Sequence, residues 1–282
     1  MKKLVYTGIV LFIFSLVGNH SSAQIVNSAF KQTDIYQKKP MPLPSVREAD
    51  VFWSKKVWRI VDLREKMNLP LYYPSIEVDG RKNLISLLLE GIKTGQITPY
   101  DARLDDDFKV PMTIAQVQES FGAETTTEEK IDFDTGERTT VTVEGEIRPN
   151  EIKQYMIKEE WYFDKGTSTL NVRIIGLCPI REFVRENDAS GQVQRQKVFW
   201  VYYPEVRDLL STSLVLNPNN DSQQMSFDDL FIKRFFSSYV VQESNVYNNR
   251  LISSYLNGRE AMLESKRIEN KIFNFEQDLW EY

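Results

Sequence analysis

The chain has 282 residues, of which 41% are apolar and 12% aromatic, enough to build a core and too many for a disordered polymer. Its 35 basic and 40 acidic side chains leave a formal charge of −5, which disfavours a phosphate backbone as ligand, because that binding draws on local positive charge. One histidine, His20, and one cysteine, Cys178, exclude an intramolecular disulfide and leave little for His-dependent catalysis.

The first 23 residues read as a secretory signal. Lys2 and Lys3 precede the apolar run "LVYTGIVLFIFSLVG", and the small residues Ser21 and Ala23 occupy the −3 and −1 positions of a cut between Ala23 and Gln24. An uncleaved anchor is the other reading, but it needs about 20 apolar residues. Cleavage would remove Lys2, Lys3 and His20, leaving 33 basic against 40 acidic residues, about −7. A mature chain without histidine builds neither a Ser–His–Asp centre nor a His-containing zinc site. No cysteine follows the cut to take a lipid, so membrane association is expected through a partner.

Residues 24–49, with Pro40, Pro42 and Pro44, read as an extended arm, either a passive tether or a strap laid along a neighbouring subunit. Residues 50–282 are read as one domain. Its first segment, "DVFWSKKVWRIVDLREKMNLP", is expected to be a helix with Asp50 as N-cap and a stop at Pro70. At 100° per residue, Trp53, Val57, Ile60 and Val61 share one side and Lys55, Arg59, Asp62 and Lys66 the other. Trp58 falls towards the charged stripe and requires cover from another element or from a partner, which makes Lys55, Trp58 and Arg59 candidate interface residues. A short strand near "LYYP", a turn at "VDGR" and helices over 83–93 and 113–121 follow. The threonine-rich stretch 122–147 reads as an exposed hairpin or partly ordered insertion. Its Asp132, Asp134 and Gly136 match only a fragment of a calcium loop.

Three long strands, "IKQYMIKEEWYF", "STLNVRIIGLCPIREFVRE" and "VQRQKVFWVYYPEV", joined by turns, predict an antiparallel meander at the centre of an α+β fold, with helices before and after it. Glu159 and Glu160 are neighbours on one strand and point to opposite faces, so they do not form a glycosidase pair. Cys178 lies in an apolar run, as a buried structural thiol does. The last third reads as helical. Ser226 and Asp229 form a capping box ahead of Phe231, Phe235 and Tyr239, and Ala261, Ile268, Ile272, Phe275 and Leu279 line a final amphipathic helix. That helix either packs on the sheet or docks a partner through Leu279, Trp280 and Tyr282. "DVFWSKKVW" and "DDLFIKRFF" share a pattern that fits a duplicated helical unit or a coincidence between two amphipathic segments.

Several of these strings, in order over nearly the whole mature chain, resemble one family. "DVFWSKKVWRIVDLREKMNLPLYYP", "IKEEWYFDKGTSTLNVRIIGLCPI", "FWVYYPEVRDLL", "MSFDDLFIKRFFSSYVVQESNVYNNRLI" and "ENKIFNFEQDLWEY" are similar to the GldN/PorN gliding-motility and secretion proteins of the Bacteroidota. The resemblance implies a non-enzymatic periplasmic component of the type IX secretion system. Its expected partners are a GldK/PorK-like outer-membrane lipoprotein, other copies in a ring, and the periplasmic part of a GldM/PorM-like motor protein. It implies no catalytic residues, metal or cofactor. The competing readings are a carboxylate-dependent glycan hydrolase using "YDARLDDDF" (Asp101, Asp105, Asp106, Asp107) and a periplasmic ligand-binding module.

Overall fold

The computed structural model describes residues 38–78, 80–103, 106–123, 126–131, 138–143, 147–184, 191–215 and 224–279, with the strands at 126–131 and 138–143 described by their backbone. The Ala23–Gln24 junction, the arm before residue 38, Asp105, Trp280 and Tyr282 lie outside these residues.

The architecture is α+β, as the strand and helix patterning predicts. A seven-stranded antiparallel sheet runs in spatial order through Tyr239–Glu243 (β11), Val51–Asp62 (β1), Ile152–Asp164 (β5), Thr169–Val184 (β6), Phe199–Tyr202 (β8) and Pro99–Asp101 (β2), with Val193–Lys197 (β7) also paired to β6. Its centre is the hairpin of β5 (Ile152–Asp164) and β6 (Thr169–Val184), registered from Ile152↔Arg181 to Asp164↔Thr169. β7 (Val193–Lys197) and β8 (Phe199–Tyr202) run along β6 in succession, so the meander expected from the sequence is present. A short edge strand, β2 (Pro99–Asp101), pairs with β8.

The segment expected as the first helix is instead a twelve-residue strand, β1 (Val51–Asp62), paired with β5 from Val51↔Asp164 to Asp62↔Gln154. Val51, Val57, Ile60 and Val61 are β-branched and three aromatic or tryptophan side chains accompany them, a composition that suits a pleated surface. The sequence "SFDDLFIKRFFSSYVVQES" also divides. Helix α5 (Phe227–Ile232) starts on the Ser226–Asp229 capping box and stops at Arg234, whose φ of 56° is left-handed; β11 (Tyr239–Glu243) then pairs with β1. Because Val51–Trp58 is strand and Phe227–Ile232 is helix, the two similar nonapeptides are not a duplicated unit. A third expected strand overran: β8 ends at Tyr202, and Pro204 opens helix α4 (Tyr203–Ser211). The expected strand near "LYYP" is a single helical turn, α1 (Leu69–Tyr72).

Local signals hold elsewhere. Asn83 caps α2 (Leu84–Lys93) by accepting from the Ser86 amide at 2.8 Å, and Thr113 with Gln116 forms the capping box of α3 (Ile114–Ser120). β3 (Thr126–Ile131) and β4 (Arg138–Val143) pair only with each other among the described residues, and β9 (Leu214–Val215) pairs with β10 (Met225–Ser226). The last helix, α6 (Arg259–Asp278), spans twenty residues. No helix among the described residues is long and apolar enough to cross a membrane.

The sheet is covered on both faces. On one, which we call the helical face, Val61, Tyr155, Ile157, Leu177, Phe199 and Val201 pack under α2, α4 and α5, and Val57 and Val240 pack under Ile268 and Ile272 of α6. On the other, the loop face, Trp58, Met156, Cys178, Ile180 and Trp200 are covered by Tyr100, Ala102 and Phe108. Burial of an aromatic or long aliphatic side chain of this kind contributes about 1.5–3 kcal/mol.

Three acidic protons are locked in this core. Burial pushes the Cys178 thiol up to about 12 and drives the Tyr155 and Tyr203 phenols upward as well, with Asp228 adding to the effect at Tyr203. A folded pKa above the unfolded one stabilises the fold fully below the unfolded value and loses that contribution as pH rises. The urea midpoint is therefore expected to stay flat with respect to these groups below about pH 9, the ordinary value for the thiol, and to fall between pH 9 and 12. Cys178 should react with a thiol reagent at pH 8 only in denaturant; reaction of the native protein at the denatured rate would contradict the burial.

Candidate functional site

Strand geometry separates the three candidate interface residues. Lys55 and Arg59 share the helical face with Trp53, Val57 and Val61, whereas Trp58 points to the loop face, because successive strand residues alternate. The single stripe expected from helical spacing therefore does not exist, and each residue belongs to a different environment.

On the loop face, Trp58 is 2% exposed and its indole Nε1 donates to Asp106 Oδ2. Lys158, on β5, is also buried. Its Nζ donates to the Asp106 carbonyl at 2.7 Å and lies 3.4 Å from Asp106 Oδ2 and 3.6 Å from Asp107 Oδ1. The same ammonium stands 5.6 Å from the Trp58 ring centre and 5.6 Å from that of Phe108. Phe108 presents its edge to Tyr100, Trp200 and Tyr202. Beneath it, Gly176 leaves the space: a methyl group there would lie 2.4 Å from Phe108 Cζ. The acidic loop is thus a plug, anchored by one lysine and one aromatic ring.

On the helical face, Arg59 is 8% exposed, donating through Nε to Glu159 Oε2 at 3.2 Å and through Nη1 to Glu269 Oε1 of α6 at 2.7 Å. Glu159 is fully buried and also accepts from Arg234 through Nη1 at 2.9 Å and Nη2 at 3.3 Å and from Trp161 Nε1 at 3.2 Å. Four donors from three elements satisfy one carboxylate, as a buried charge requires. Glu160, next along β5, registers opposite Lys56 on the other face.

Lys55 lines a groove of about 600 Å³ beside α6, with Trp53, Glu243, Lys266, Arg267 and Lys271 among its walls. Its floor is the stacked pair Trp53 and Phe275, with ring centres 4.6 Å apart. Lys55 Nζ forms an ion pair with Glu243 Oε2 at 2.5 Å.

The carboxylates considered for catalysis are tied into structure. Asp106 and Asp107 hold Lys158, and hydrogen bonding to Lys109 keeps the Asp107 carboxyl below the usual range. Asp101 accepts from the Arg103 amide at 2.8 Å. Among the described residues no group of three or more His, Cys, Asp or Glu side chains is placed to hold a metal. The described part of the arm lies against its own chain. Lys38 pairs with Asp229, the Lys38 carbonyl accepts from Ser211 Oγ at 3.1 Å, and the Met41 carbonyl accepts from Arg207 Nη2 at 2.6 Å. Arg207 is held by Asp228, which also accepts from Tyr203 Oη at 2.9 Å. Nothing in the sequence pairs these distant residues, but a charge at an inward strand position, as at Lys158 or Glu159, was a signal available in the strand pattern.

Removing one member of a buried charge cluster costs about 3–5 kcal/mol, because the others stay behind unpaired. Glu159→Ala is expected to lose that much in urea denaturation, and Arg59→Met added to it should restore part of the loss. Equal, additive losses in the double variant would show that the two groups are not coupled. Gly176→Ala should cost about 1–3 kcal/mol by displacing Phe108, and a neutral effect would remove the plug's close fit.

A search of curated proteins finds no match to the chain. The family model of the gliding motility associated protein GldN matches residues 46–281, from the end of the arm through the last helix and including both faces of the sheet. That span takes in β1, the buried charges of β5 and the groove together, and the chain belongs to the GldN family of gliding-motility proteins.

Proposed function

We propose that the chain is a non-enzymatic, periplasmic structural part of the type IX secretion and gliding machinery. In this reading it assembles with a GldK/PorK-like outer-membrane lipoprotein into a ring and contacts the periplasmic part of a GldM/PorM-like motor protein. The observation that carries the reading is the family match over residues 46–281. The interior agrees with it: the buried charged residues Arg59, Lys158, Glu159, Arg207 and Asp228 each face a partner that neutralises them. Groups spent on mutual neutralisation stiffen a scaffold and are poorly placed for proton transfer.

Of the three candidate interface residues, Lys55 stands at the rim of the α6 groove and is the one proposed to meet a partner directly. Trp58 and Arg59 contribute by fixing β1 beneath it. Large apolar side chains left open along the same region, Met262, Leu263 and Phe273 on α6 and Val246 and Tyr247 before it, give a partner surface to cover.

Deletion of the coding sequence should abolish both surface gliding and release of type IX cargo, and the tagged protein should recover a lipoprotein in stoichiometric amount from envelope extracts. Normal cargo release in the deletion strain, or glycan turnover by the purified chain without any assembly partner, would overturn the reading.

A further inference from the structure

We propose that Arg173, Arg207 and Ser211 form a reader for an extended segment paced by proline, and that on assembly this reader takes the strap, residues 38–44, of a second copy of this chain. The inference deepens the assembly reading above by naming a contact between copies, and it rests on that reading only for its biological setting.

The strap has one backbone shape open to it. In "KKPMPLP" the rings fix φ at Pro40, Pro42 and Pro44, and Lys39, Met41 and Leu43 are each pushed to extended conformation by the proline that follows. Every residue from Lys39 to Pro44 is thereby confined to a polyproline-type helix, which has three residues per turn. Carbonyls three apart share a side of such a helix, and those of Lys38, Met41 and Pro44 are the ones the body holds. Ser211 Oγ donates to the first at 3.1 Å, Arg207 Nη2 to the second at 2.6 Å and Arg173 Nη2 to the third. Alternate prolines remove every second amide from the strap, and the row that reads it is built of donors.

The reader is held by the body and not by the strap. Arg207 and Ser211 lie one turn apart on α4. Asp228 fixes the Arg207 guanidinium at 3.0 and 3.1 Å, and Arg173 lies 5.5 Å from the centre of the Tyr162 ring. The Ser211 hydroxyl is shared with the Asp208 carbonyl at 2.9 Å. Lys38 pairs with Asp229 of α5, which sets the direction in which the segment lies. The strap's own apolar side chains contribute little, since Met41 is 65% and Leu43 40% exposed. Bonds from a fixed donor row to main-chain carbonyls are indifferent to which copy supplies the carbonyls. The junction to the body, Ser45 to Ala49, is exposed except at half-buried Val46, so the strap is free to leave by that hinge. Exchange then loses none of these contacts: when each copy lends its strap to the next, every reader is filled and every strap is used. Within one chain the tether keeps the strap at high local concentration, so the exchange belongs to copies already held side by side.

Two variants of the full chain test the exchange. The strap variant carries Lys38→Glu with Pro40→Gly, Pro42→Gly and Pro44→Gly, which opposes Asp229 and removes the pre-set backbone while leaving the reader intact. The reader variant carries Arg173→Ala with Ser211→Ala and keeps Arg207, whose removal would leave Asp228 buried and unpaired. In fluorescence anisotropy, a labelled synthetic peptide of residues 38–46 should bind the strap variant about tenfold more tightly than the parent, whose reader is filled by its own strap. The same peptide with glycine at its three proline positions should bind about tenfold more weakly, having lost its preorganised shape. In sedimentation velocity an equimolar mixture of the two variants should give a one-to-one dimer that neither forms alone, because one offers an empty reader and the other a released strap. Arg173→Ala alone replaces the reader variant if the double substitution lowers the thermal transition. Equal peptide binding by parent and strap variant, equal binding of the glycine peptide, or a mixture no more associated than its components would overturn the proposal. Cargo release by a strain carrying the strap variant separates the two readings: release at parental level would remove this contact as the functional one, and the family-based role would stand.

Discussion

Two consecutive residues of the central strand, Lys158 and Glu159, carry opposite charges into opposite faces of the sheet, and both are buried. Neither charge is tolerable there alone, since an unpaired buried ion costs several kcal/mol. Each therefore dictates what covers its face. Lys158 requires the carboxylates of the 100–110 loop, and that loop brings Phe108 down onto Gly176 and seals Trp58. Glu159 requires Arg59 and Arg234, and through Arg59 it reaches Glu269 and fixes α6. The two layers are thus addressed by charge before they are packed by apolar contact.

The same pairing explains how the acidic loop clasps the sheet. Asp106 and Asp107 neutralise Lys158, and hydrogen bonding to Lys109 keeps the Asp107 carboxyl below its usual range, the reverse of the environment that raises a carboxyl towards general-acid behaviour. What stays open is the outside: a groove beside α6 and the exposed apolar side chains Met262, Leu263 and Phe273 on that helix.

Much of the fold is legible in the residues. The strands of β5 and β6, the caps at Asn83, Thr113 and Ser226, and the buried character of Cys178 follow from local rules that tertiary contacts did not override. The two failures at residues 51–62 and 239–243 share one cause. Trp53, Val57 and Val61, like Phe231, Phe235 and Tyr239, are spaced by four, and residues four apart share a side on a helix and on a strand alike. Offsets of two or three distinguish them: Lys55, two from Trp53 and from Val57, shares their face on a strand and not on a helix, and Trp58, awkward on a helix, is ordinary on the second face of a sheet covered from both sides. The candidate site was legible to the extent of its residues and not of their grouping, because Lys55, Trp58 and Arg59 were grouped on a helical wheel.

By itself the sequence determined the α+β class, the central meander, the helix caps and the membership in a family whose long aromatic strings are specific to it, since all of these depend on residues near one another in the chain. The tertiary structure decided the conformation of residues 51–62, the assignment of Asp106 to Lys158 and of Arg59 to Glu159, and the position of the groove beside α6. The reason is that a strand's state is set by its neighbour: β1 is extended because β5 offers eleven registered positions to it, and the chain reaches β5 only about a hundred residues later.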